Sequence, residues 1–206
     1  MGLISNGTTL LDAGALDSGI ATGAMTLIKT LTASSSATLS FVHGASSVVF
    51  DGTYKEYQFH FVNMHPASND VNFQFNVSID GGSNYNVAKT TTRFTVLHSE
   101  DDSSHAALAY EANRDLAQGT GDKIIMNGVG NVADESCSGL LHLYEPASTT
   151  FVKNFEVRGI QNRSDNTSED AFGAGYINTT SAVNAIIFKF GSGNIDTGTI
   201  KMYGIK

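Results

Sequence analysis

Six histidines, one cysteine and twenty acidic residues are the groups that could do chemistry in this chain. His43, His60, His65, His98, His105 and His142 are scattered, with no His-x-His, Glu-x-x-His or His/Cys pairing that would hold zinc. His60 and His142 sit inside alternating segments and read as surface or structural side chains. Cys137 lies in Asp134-Glu-Ser-Cys-Ser-Gly, where the flanking acids raise a thiol pKa rather than lower it. The adjacent carboxylates Glu100, Asp101 and Asp102 could do acid–base work in principle. In so polar a run they read as a solvated acidic loop. Asp80-Gly-Gly-Ser-Asn lacks the alternating acids and closing glutamate of a calcium loop, and reads as a hairpin turn. Gly119-Thr-Gly-Asp-Lys lacks the spacer of a phosphate loop and has no strand–helix context. No metal, cofactor or catalytic set emerges, and the chain does not read as an enzyme. Tyr54, Tyr57, Tyr85, Tyr110 and Tyr144 could line a sugar-binding surface, but the chain has no Trp, and core packing is the simpler expectation.

The elements that must position these groups are strands. In 54–63, Tyr57, Phe59 and Phe61 alternate with Glu56, Gln58 and His60. In 71–79, Val71, Phe73, Phe75, Val77 and Ile79 alternate with polar residues throughout, the period-2 signature of a half-buried strand. Further strands are expected at 37–43, 46–50, 92–97, 139–144, 151–160, 171–179, 184–190 and 198–205, separated by turn-rich segments. The fold class is therefore all-β, an antiparallel jelly-roll-like β-sandwich. Its expected interior holds Phe59, Phe61, Phe73, Phe75, Val77, Ile79, Leu141, Leu143, Phe188 and Ile200.

Residues 26–206 read as one sandwich domain, with a long polar insertion at 99–123. Residues 1–25 show no core periodicity and read as an extended N-terminal arm. Leu3, Ile4, Leu10, Leu11, Leu16 and Ile20 are too apolar for a solvated tail and are the candidate attachment residues.

Composition narrows the function further. Charged residues make up 16%, against about 25% in an average globular protein, with 21 Gly and 2 Pro. The surface must be covered by Ser, Thr, Asn and Gly. A net charge of −8 and scattered cations argue against nucleic acid and against anionic membranes. No stretch is long and apolar enough for a transmembrane helix, and the N-terminus lacks the pattern of a signal peptide. The glycosylation-type triplets at Asn6, Asn76, Asn162, Asn166 and Asn178 are what chance produces in so Asn/Ser/Thr-rich a chain.

The opening MGLISNGTTLLDAGALDSGI resembles the starts of structural proteins of tailed bacteriophages, those of marine and cyanobacterial phages above all. The segment YKEYQFHFVNMHPASNDVNFQFNVSIDGGSNY is similar to a recurring β-module of those virion proteins, through Tyr57, Phe59, Phe61, Pro66, Phe73, Gln74, Gly81, Gly82 and Tyr85. The terminal strand matches through Gly198, Ile200, Tyr203 and Gly204. The resemblance implies a jelly-roll virion component, assembled in the host cytoplasm, with no catalytic residues to carry over. The role expected is a capsid decoration (cement) protein, a homotrimer bound through its arms to the major capsid protein. The alternative is a tail-fibre or receptor-binding tip contacting host glycans through loops such as 99–123.

Overall fold

The structure is a computed structural model and describes residues 3–12, 15–16, 23–102 and 106–206. Two antiparallel sheets form a β-sandwich, as the alternation predicts. The smaller sheet has four strands in the order β10 (Lys123–Val129), β7 (Val71–Ser78), β14 (Ala185–Phe190), β5 (Leu39–Val42). The larger has eight. It begins with β4 (Met25–Thr32), β15 (Ile195–Ile205), β6 (Glu56–Pro66) and β11 (Cys137–Tyr144). It continues through β12 (Lys153–Asn162), β13 (Thr167–Ile177), β8 (Lys89–Ser99) and β9 (Ala106–Tyr110). The sheets are thus unequal, eight strands against four, rather than the two four-stranded sheets of a simple jelly roll.

Rings from both sheets close the core. Phe41 of β5 meets Phe59 of β6 edge-on at 5.4 Å, Phe61 of β6 meets Phe73 of β7 at 5.2 Å, and Phe75 of β7 meets Phe155 of β12 at 5.2 Å. Edge-to-face contacts of this kind add to what burial alone supplies. Further along, Gly139 and Gly159 face each other across β11 and β12, and a Cβ on either would press on Met126 of β10. The paired glycines make the slot that Met126 fills.

Nine of the ten expected core residues are buried; Ile79 is not. β7 ends at Ser78, whose hydroxyl donates to Asp80 Oδ1 at 2.6 Å, and the turn this closes carries Ile79 into solvent. The expected strand at 46–50 is also absent. Ser46 and Ser47 adopt positive φ (49° and 70°), which no strand accommodates, although Val48 and Phe50 still reach the core. Strands β4 and β10 and the short β9 were not anticipated. The insertion at 99–123 therefore holds β9, a 3₁₀ turn (Ala112–Arg114) and the start of β10. After β9 the chain still follows β8: the N–H of Glu111 donates to Arg93 O, and Leu116 O and Gly119 O accept from Thr91 and Lys89.

At the N-terminus, β1 (Leu3–Ser5), β2 (Thr8–Asp12) and β3 (Ala15–Leu16) form a three-stranded antiparallel sheet with no ladder to the sandwich among the described residues. Where the sequence predicts an extended arm, the described residues are paired. Asn6 and Gly7, at φ 48° and 79°, make a two-residue hairpin turn between Ser5 and Thr8. Asn-Gly is the preferred pair for such a turn, because both residues tolerate positive φ. The sandwich begins at Met25, so the expected boundary at residue 25 falls one residue inside β4.

Candidate functional site

The register of the N-terminal sheet brings three of the six expected attachment residues into one row. Leu3 pairs with Leu11, and Leu11 with Leu16. Leu3 and Ile4 are 58% and 61% exposed, and Leu11 is exposed as well. Leu10 lies in β2 beside this row, and Ile20 falls outside the described residues.

The other candidates of the sequence reading are not brought together. His43 Nδ1 accepts the N–H of Phe50 and His98 pairs with Asp102, while His105 falls outside the described residues. Cys137 is buried beneath the sheet, and desolvation pushes its thiol pKa up, away from reactivity. Asp80 is held down to about 2 by hydrogen bonds from Ser78 and Asn84, the pattern of a turn-capping carboxylate. Lys123, the cation of the Gly119 segment, is fully buried in β10. The five tyrosines form no single surface: Tyr57 is inside, packed against Phe50 and Tyr54, whereas Tyr110 is exposed at the far edge.

Two clusters were illegible in the sequence. The first lies on the outer face of the eight-stranded sheet, where Tyr110, Phe94, Phe172, Arg158 and Leu140 occupy adjacent strands in one row. Phe94 and Phe172 stack at 4.8 Å and 6°, and the Arg158 guanidinium lies 5.0 Å from the centre of the Phe172 ring. A groove of about 440 Å³ runs beside them, from Phe94 and Phe172 to His142 and Glu156. His142 Nε2 lies 2.8 Å from Glu56, and the Tyr144 hydroxyl donates to Glu156 at 3.0 Å. These bonds tie β6, β11 and β12 together and occupy both carboxylates. Because the two rings stack along the strand-to-strand direction, they turn their edges outward. A sugar platform needs an exposed ring face, which this stack does not offer.

The second cluster is internal. Arg93 of β8 is 1% exposed and pairs with Glu169 of β13 and Glu111. Arg163 Nη1 reaches Glu169 at 2.9 Å, and Asn127 donates to the same carboxylate. Burial pulls the Arg93 pKa down and the Glu169 charge opposes the shift. Nearby, Lys123 lies 3.6 Å from Asp115. Lys89 Nζ donates to Asn76 Oδ1 and Val87 O, each at 2.7 Å. Desolvation lowers both lysines to about 8 from an ordinary 10.5.

That depression fixes a pH dependence. Between pH 8 and 10.5 the unfolded chain keeps the two protons that the folded chain has released, so folding gains stability as pH rises. Tyr57, pushed up to about 12 mainly by burial, acts in the opposite sense above pH 10, where only the unfolded phenol ionises. Urea unfolding is expected to give about 1–2 kcal/mol more stability per lysine at pH 9.5 than at pH 8. A flat or falling profile over that range would show that the lysines stay charged in the interior.

The class defined by these features is an antiparallel β-sandwich with a separately paired N-terminal sheet. Comparison of the chain with protein families, curated proteins and solved structures finds no match to any of them.

Proposed function

We propose that the chain is a virion structural protein of a tailed bacteriophage, a capsid decoration protein that binds the head exterior through its N-terminal sheet. The observation that carries this reading is the row Leu3–Leu11–Leu16, on a sheet that pairs with no other described strand and whose Leu3, Ile4 and Leu11 face solvent. Each such side chain, once buried against the major capsid protein, supplies about 1.5–3 kcal/mol gross. Pairing the segment beforehand lowers the ordering cost that would otherwise consume the gain. An oligomer that presents several of these sheets to one capsid binds more tightly still, through effective concentration. The tail-tip alternative draws less support, since the outer aromatic rings offer edges rather than faces to a glycan.

Deletion of residues 2–22, which leaves β4 whole, tests the reading. The shortened protein is expected to unfold within a few degrees of the full chain yet fail to co-sediment with capsids of the phage that encodes it. Undiminished capsid binding by the deletion variant would overturn the proposal. So would particle images that place the chain at the tail.

A further inference from the structure

We infer that β9 is a self-association edge, along which two copies of this chain pair antiparallel about a two-fold axis at Leu108 to join their eight-stranded sheets. This does not depend on the capsid reading.

A sheet edge exposes unpaired N–H and C=O groups, and proteins blunt such edges with charge, bulges or short strands. The sandwich has four edges, and three are blunted. β5 is four residues long. β10 breaks register twice against β7. β4 carries Lys29 and a register shift against β15. β9, sequence AALAY, has no charge and no proline, and its ladder to β8 is unbroken from Phe94–Tyr110 to His98–Ala106. No described strand pairs with its outer side.

The occupant is read from the strand itself. Antiparallel self-pairing centred on Leu108 sets Leu108 against its own copy, Tyr110 against Ala106, and Ala107 against Ala109. On one face the two Leu108 side chains then meet at the axis with a Tyr110–Ala106 pair on either side, and only alanines meet on the other. Both halves of the contact are one patch, as a two-fold interface requires. Leu108 is 73% and Tyr110 64% exposed, and beside them Phe94 and Val96 of β8 extend the same apolar face. Edge pairing of five residues buries several hundred Å² per copy, short of the ~800 Å² of a standard interface. The association is therefore weak, with a dissociation constant of about 10–1,000 µM.

Sedimentation of the full chain across that range is expected to move from 21.8 kDa toward twice that mass. Leu108→Lys places two like charges against each other at the axis. It should raise the dissociation constant at least tenfold and leave the melting temperature within about 2 °C, as befits an exposed site. Register is read by cross-linking, with little background because the native Cys137 is buried. Leu108→Cys should form an intermolecular disulfide on mild oxidation. Ala106→Cys should not, because its two copies would sit about 13 Å apart along the strands. A mass that stays at one copy, a trimer unaffected by Leu108→Lys, or cross-linking through residue 106 in preference to 108 would overturn the inference. So would an uncharged edge occupied by a capsid strand instead, seen as capsid binding lost on Leu108→Lys with no self-association at any concentration.

Discussion

Replacing Glu169 with leucine is expected to lower the unfolding free energy by about 3–5 kcal/mol, the cost of leaving a buried charge without its partner. Arg93 is the charge concerned. Its guanidinium is enclosed between β8, β13 and the segment after β9, and Glu169 is the carboxylate that binds it from within the sheet. Without Glu169, Arg163 and Asn127 lose an acceptor as well. For a chain of this size the melting temperature should fall by roughly 6–20 °C. The double variant Arg93→Met with Glu169→Leu separates pair from packing. Buried ion pairs return little net stability over well-packed apolar residues, so the double variant should recover most of the loss. A single Glu169→Leu variant as stable as the parent would mean that Glu111 alone neutralises Arg93.

Phe188→Ala is expected to cost a similar amount, about 3–5 kcal/mol, by a different route. Phe188 of β14 is fully buried, with its ring centre 5.1 Å from that of Phe61, 5.4 Å from Phe59 and 6.2–6.3 Å from those of Phe41, Phe73 and Phe75. Truncation would open a cavity between the sheets that five rings on β5, β6 and β7 border, and stiff neighbours collapse poorly into such a space. Phe151→Ala serves as the control, since Phe151 is exposed on a loop and should change stability by no more than about 0.5 kcal/mol. Equal losses from the two substitutions would show that the ring cluster is not the centre of the core.

Much of this core was legible because β6 alternates from Glu56 to Phe61, before a bulge at Val62 and Asn63 breaks its pattern, and the apolar residues of β7 alternate from Val71 to Val77. Tyr57, Phe59 and Phe61 face in, as do Val71, Phe73, Phe75 and Val77, and a one-residue slip would turn every one of them to water. The Asn6-Gly7 pair signals the N-terminal hairpin as well, although the segment around it has no core periodicity. β8 is the opposite case. Its sequence KTTTRFTVLHS invites Phe94 and Val96 inward, yet they are exposed while Lys89, Thr91, Arg93, Thr95 and Ser99 are buried. What reverses the strand is Glu169, 76 positions away, together with Glu111 and Asn76.

The alternation of side chains along single strands was enough to determine that this chain is all-β, that its strands bury one face, and that Phe59, Phe61, Phe73, Phe75, Phe188 and their neighbours form the interior. Each of those facts depends on local chain geometry and on the transfer of apolar surface out of water, and both are properties of short windows of sequence. Only the tertiary structure decided that four basic side chains, Lys89, Arg93, Lys123 and Lys153, lie inside, that an aromatic row lies outside, and that β9 ends the larger sheet with no described strand on its outer edge. A buried charge is tolerable only where a distant segment supplies its counter-charge or carbonyls, and an edge is an edge only once every other strand has taken its place.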